Sequence, residues 1–64
     1  LIKGLIMGER LLRISQVEDI VGRKRATIYR KIKEQKFPPP IKDGFASYWT
    51  ESEIDAYVNN IINA

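Results

Sequence analysis

The sequence predicts a small, mainly α domain of three helices that carries a β-hairpin wing. Three observations predict it. Two apolar stripes of helical period are separated only by Gly22-Arg23-Lys24, which places two helices in tight succession. An Asp43-Gly44 pair lies between two extended segments, a short-range hairpin signal. A third stripe, Ile54, Tyr57, Val58, Ile61 and Ile62, falls at i, i+3, i+4, i+7 and i+8 and closes the chain with an amphipathic helix.

Leu11, Leu12, Arg13 and Ile14 read as a short extended segment. Ser15-Gln16-Val17-Glu18 then reads as a capping box, in which a hydroxyl takes the N–H three residues on and the carboxylate reaches back. The first helix is expected over 16–21, with Val17, Ile20 and Val21 on its inner face. Gly22 ends it, since a left-handed residue is least strained as Gly. The second helix is expected over 25–35, with Ile28 and Ile32 inward. Two helices joined by so short a Gly-containing turn form a helix-turn-helix. Pro38-Pro39-Pro40 stops the helix, because proline lacks the N–H and clashes with the preceding turn. The wing is expected at about 40–49, pairing 40–42 with 46–49. Thr50-Glu51-Ser52-Glu53 is a second capping box, opening a third helix over 51–62. The fold class is thus a winged helix-turn-helix. Its core candidates are Leu12, Ile14, Val17, Ile20, Val21, Ile28, Ile32, Phe37, Ile41, Trp49, Ile54, Tyr57, Val58 and Ile61. Residues 1–9 read as an N-terminal extension, either added sequence or partly disordered, and 10–64 as the domain.

At 64 residues the chain makes one domain with a small core. It has no Cys and no His. Disulfides and thiolate or imidazole zinc sites are therefore excluded. No apolar run approaches the ~20 residues that cross a bilayer. No nucleophile–base pair and no Gly-rich phosphate loop is present, so the chain reads as a non-enzyme without cofactor or metal. Glu51, Glu53 and Asp55 suit the positive end of a helix dipole better than any chemistry.

The charge is unevenly placed. Residues 23–36 hold seven Lys or Arg and one acid, Glu34, whereas the rest holds four basic and seven acidic residues. A helix with one apolar and one cationic face points first at DNA. On that helix Ala26, Thr27 and Arg30 occupy the positions from which base edges are reached. Arg30 suits either a guanine or a phosphate. Arg25 in the first turn suits either task, and Lys31 and Lys33 suit the backbone. Arg23 and Lys24 leave the helix without a capping hydroxyl and put cations at the positive end of its dipole. A docked phosphate would reverse that penalty. Tyr29 is half core by spacing, with its hydroxyl free to reach a phosphate. Lys42 on the wing is a further phosphate contact. Trp49 reads as core at the exit from the wing. Phe45, beside Gly44, is expected to pack back onto the domain, the alternative being a wedge into a minor groove.

These motifs resemble the AlpA family of phage and prophage regulators, within the MerR-like and excisionase-type winged helix-turn-helix domains. The resemblance spans about 10–60. It begins at Arg10-Leu11-Leu12-Arg13-Ile14 and continues with Val21-Gly22. Arg25-Ala26-Thr27-Ile28-Tyr29-Arg30 stands where the family reads R-S-T-I-Y-R. Lys33 to Pro40 approximates its I-x-x-G-x-F-P-x-P corner. Trp49-x-x-Ser52-Glu53-Ile54 approximates W-x-x-S-E-V/I. Arg23 and Lys24 depart from the family's apolar residue and Ser or Thr, Ala26 from its Ser, and Gln35 from its Gly. The resemblance implies a transcriptional regulator of a prophage or integrated element. Double-stranded DNA is the implied partner. Because a lone domain this small covers few base pairs, a homodimer or cooperative array on DNA is a candidate assembly, and an integrase a candidate further partner. The implied location is the nucleoid in a bacterial cytoplasm, with no membrane association. One alternative is an excisionase-like recombination directionality factor that bends DNA at an attachment site. Another is a protein-interaction module without specific DNA reading, using Leu5, Ile6, Met7 and Ile62.

Overall fold

The computed structural model describes residues 9–63. Its elements are β1 (Leu11–Leu12), α1 (Ile14–Val21), α2 (Arg25–Lys33), β2 (Ile41–Asp43), β3 (Ala46–Thr50) and α3 (Glu51–Ile62). The three helices and the antiparallel hairpin make a mainly α winged helix-turn-helix. Leu5, Ile6 and Met7, considered above as surface for a partner, lie outside the described residues.

The short extended segment before α1 has a specific use. It joins the hairpin as a third strand, giving the order β1-β3-β2, with Leu11 opposite Thr50 and Leu12 opposite Trp49. Ile14 is not part of that strand but the first residue of α1. The expected start at Ser15 is therefore corrected to an N-cap at Arg13. Gln16 is the reason: its side-chain oxygen accepts the Arg13 N–H at 2.9 Å, the reach-back of a capping box done by an amide. Glu18 is thereby released for another task. At the other end Gly22 takes φ 71° and returns its N–H to the Glu18 carbonyl at 2.9 Å.

α2 stops at Lys33, two residues short of the expected end. The Gln35 N–H donates to the Ile32 carbonyl at 3.0 Å, and the Lys36 N–H to the Lys31 carbonyl at 2.8 Å. This paired closure is a Schellman motif, and it forces the intervening residue into the left-handed region. That residue is Gln35, at φ 62°. The chain then turns through Phe37 and the three prolines into the wing.

In the wing, Ile41 faces Tyr48, Lys42 faces Ser47 and Asp43 faces Ala46. The loop is thus Gly44-Phe45 rather than Asp43-Gly44, with Gly44 at φ 63°. Positive φ at the first loop residue alone is the pattern of a type II′ turn, whose twist matches that of the strands.

Thr50 caps α3 as expected: its hydroxyl accepts the Glu53 N–H at 3.2 Å and donates to the Glu53 carboxylate at 3.1 Å. The N-terminal chain adds to this cap. The Glu51 N–H donates to the Arg10 carbonyl at 2.8 Å. Glu9 accepts from the Ser52 N–H at 3.2 Å and the Ser52 hydroxyl at 3.0 Å.

The buried core is Leu12, Val17, Ile28, Phe37, Trp49 and Ile54, with Ile14, Val21, Ile32, Tyr57 and Val58 packed around it. Ile20, Ile41 and Ile61, expected inside, are exposed. Ile20 falls on the flank of the stripe formed by Ile14, Val17 and Val21. Ile41 sits on the edge strand opposite Tyr48, on the sheet face away from Trp49. Ile61 lies in the last turn of α3, one turn past the half-buried pair Tyr57 and Val58.

The left-handed position of Gln35 yields a stability prediction. A non-Gly residue there is strained by about 1 kcal/mol or more. Gln35→Gly should therefore raise the thermal midpoint by roughly 4–8 °C, the shift that about 1 kcal/mol produces in a domain of this size. Calorimetry or a circular-dichroism melt checks it. An unchanged or lower midpoint would show that the helix end carries no such strain.

Candidate nucleic-acid interface

Burial of Ile28, with Ile32 beside it, sets the rotation of α2. Ala26, Tyr29, Arg30 and Lys33 then face outward, while Thr27 and Lys31 lie half-buried at the margins. Arg23, Lys24 and Arg25 stand exposed at the N-terminal end. Among the described residues the ion pairs are Arg10–Glu51, Arg25–Glu18 and Lys36–Glu34. None of these engages Arg23, Lys24, Arg30, Lys31 or Lys33. Among the described residues these five cations are held in no salt bridge, and such a cationic face attracts polyanions.

The start of α2 is built differently from the expectation drawn from its missing hydroxyl. Lys24 is the N-cap and contributes no side-chain acceptor. Glu18 of α1 supplies one instead. Its carboxylate accepts the Arg25 backbone N–H at 2.7 Å and the Arg25 guanidinium through two nitrogens at 3.2 Å each. This single carboxylate caps α2, faces the positive end of its dipole and ties the two helices of the motif together. The Arg25 side-chain hydrogen bonds, then its backbone N–H, hold the Glu18 carboxyl below the ordinary glutamate value, against slight desolvation. The same contact raises Arg25. Sequence reasoning missed this role, although an N-terminus rich in cations and lacking a capping hydroxyl signals that an acid must come from elsewhere.

The wing presents Lys42 on the α2 side. Residues opposite one another in an antiparallel pair share a face, and successive residues alternate. Leu12, paired with Trp49, is buried, so Trp49 marks the inner face. Ser47 shares that face with Trp49, and Lys42, opposite Ser47, does too. The Tyr29 ring of α2 lies 6.5 Å from the Trp49 ring on this same side. Lys42 is steadied by donating to the Ser47 hydroxyl at 2.8 Å. Asp43 and Tyr48 fall on the opposite face, where the Arg13 guanidinium stacks 5.3 Å above the Tyr48 ring. The sequence reading also missed this second stack. Phe45 does not pack back onto the domain: at 106% relative exposure it projects from the wing tip. The reason is the loop position, since a residue at the end of a two-residue turn has no strand neighbour to lie against.

Among the described residues no cluster of three or more Asp, Glu, Cys or His could hold a metal ion. No described helix is long and apolar enough to cross a membrane. A concavity between the end of α2 and α3 is lined by Gln35, Lys36, Phe37, Pro38, Glu53, Ala56, Tyr57 and Asn60.

A helix-turn-helix with a cationic second helix and a wing on the same side defines a winged helix-turn-helix domain. The chain belongs to the family of the prophage CP4-57 regulatory protein (AlpA), whose model matches residues 10–62. It is also similar to the uncharacterized protein ORF88 of Enterobacteria phage P4, with 37% identity over 54 residues. That match takes in 83% of this chain but 61% of the relative's length. No solved structure matches significantly.

The Glu18 contact has a pH signature. Folding lowers the pKa of Glu18, so its ionised contribution is present above the unfolded glutamate value of 4.5 and fades as pH falls through the lower folded value. Glu18→Gln should therefore melt below the wild type at pH 7, and the gap should close as pH is taken below 4.5. A gap that stays constant to pH 3 or below would show that the carboxylate charge does not hold the turn.

Proposed function

We propose that this domain is a sequence-specific DNA-binding transcriptional regulator of a prophage or integrated element. α2 enters the major groove, and the wing rests on the adjacent minor groove or backbone. The observation that carries this reading is the cationic face of α2 with Lys42 turned to the same side. Membership in a family of prophage regulatory proteins supports it. With its side chains an α-helix is about 10–12 Å across, suited to a major groove about 12 Å wide.

Within this reading the roles divide by position. Ala26, Thr27 and Arg30 face base edges, with Arg30 able to take the two acceptors of a guanine in bidentate fashion. Arg23, Lys24, Lys31, Lys33 and Lys42 take phosphates and fix register. Arg25, held by Glu18, offers its remaining guanidinium edge to the backbone. The Tyr29 hydroxyl reaches a phosphate from the exposed side of its ring. A lone domain covers few base pairs, so a homodimer or cooperative array is part of the proposal. Ile61 and Ile62, exposed at the end of α3, are the surface a second copy or an integrase would cover. Action on DNA places the protein at the bacterial nucleoid.

The test is a fluorescence-anisotropy titration of DNA from upstream of its own gene beside a shuffled duplex of equal length. Wild type should prefer the native fragment by ~10³ or more. With about six phosphate contacts, log affinity should fall with log salt at a slope of about −5. Arg30→Ala should lose about 1–3 kcal/mol of discrimination at one base pair while folding normally. Equal binding of both duplexes, untouched by Arg30→Ala, would reduce the basic helix to a solvated face.

A further inference from the structure

The fold gives Phe45 nothing to do. Its ring has 106% relative exposure, and none of the aromatic contacts among the described residues includes it. Its place is nonetheless well fixed. The hairpin register puts Phe45 second in a two-residue loop, Gly44 supplies the positive φ, and the Asp43–Ala46 pair closes the turn. A large apolar side chain is thus held at the narrow end of a rigid projection. Its chain neighbours are Lys42, Asp43, Gly44 and Ala46, so no second large apolar side chain shares the loop with it. Lys42, just behind it, is turned to the α2 side and Asp43 to the other.

We propose that Phe45 is an apolar wedge that enters the DNA minor groove beside the major groove read by α2, and partly unstacks one base step there. This inference rests on the DNA-binding reading above and assigns the wing tip a task within it. A narrow tip with one exposed ring matches a groove about 6 Å wide, and apolar wedges at such positions part base steps and bend the duplex. Lys42 meets the phosphates that border the groove, and Asp43, on the far face, is kept off them. The ring reads deformability rather than base edges, so flexible pyrimidine–purine steps are favoured at the point of entry.

The experiment uses the full chain and native upstream duplexes carrying 2-aminopurine, a fluorescent adenine analogue that brightens on unstacking, at successive positions flanking the α2 site. Wild type should raise the fluorescence at one step. Phe45→Ala should abolish that signal and weaken specific binding about tenfold, as expected for a lost base–aromatic contact. Phe45→Leu, which keeps an apolar wedge, should fall between. The melting temperature and the salt slope of both variants should match wild type, because the ring neither packs nor carries charge. If wild type binds specifically and Phe45→Ala binds as well with the same fluorescence, the wedge is overturned while the DNA reading stands. If wild type binds no DNA specifically, both are overturned. If Phe45→Ala spares DNA binding but lowers self-association by sedimentation, the tip is a protein contact and the wedge is again overturned.

Discussion

Everything else in this domain is arranged around the indole of Trp49. Its backbone pairs with Leu12 and so fastens β1 to the wing. Phe37 meets its ring edge-on at 6.5 Å and 90°, and Tyr29 of α2 lies at 6.5 Å on a tilt. The ring N–H donates to the Pro38 carbonyl at 2.9 Å, which satisfies its polar atom and pins the proline corner. One fully buried side chain thus sets the distance between α2 and the hairpin. The presentation of Lys42 beside the cationic helix is a consequence of that packing.

A second theme is that two of the three helices begin with help from groups outside the helix, whereas α1 uses its own Gln16. α1 begins on the Gln16 amide, α2 on the carboxylate of Glu18, and α3 on Thr50 with the help of Glu9. The case of α2 bears most on function. Filling its first turn with Arg23, Lys24 and Arg25 favours a polyanion but opposes the helix dipole. Glu18 resolves the conflict by capping the backbone and forming its salt bridge with Arg25, while Lys24 interacts with it only through space. Among the described residues Arg23, Lys24, Arg30, Lys31 and Lys33 make no salt bridge. Stability of the turn and availability of the charges are thereby separated onto different residues.

Local signals were legible in the sequence and spatial ones were not. Gly22, and Thr50 with Glu53, act within a few residues and mark the helix boundaries seen, while α2 ends at Lys33, ahead of the prolines. The helix spacing of Ile28 and Ile32 was enough to turn Arg25, Arg30 and Lys33 outward, but Thr27 and Lys31, expected on the surface, lie half-buried at its margins. What escaped depended on partners distant in sequence. Leu11 and Leu12 gave no sign that they pair with Thr50 and Trp49 across the chain. Ser15 and Gln16 compete for the same capping task, and sequence spacing alone favoured the wrong one. Ile20, Ile41 and Ile61 match an apolar pattern yet have nothing to pack on, because a small core is exhausted before the pattern is. Phe45 was expected to fold back from the wing tip, but the two-residue turn leaves its ring no strand neighbour to lie against.

The central claim is that α2 and the wing form one surface, fixed by Trp49, that meets DNA as a unit. The direct measurement is an NMR titration of the ¹⁵N-labelled protein with its upstream duplex. Amide shifts should concentrate at Arg23–Lys33 and at Lys42–Ala46, and both sets should saturate together at the same DNA concentration. The exposed residues Asp55, Ala56, Asn59 and Asn60 of α3 should stay still. Shifts confined to α3, or a wing that does not respond while α2 does, would contradict a composite surface.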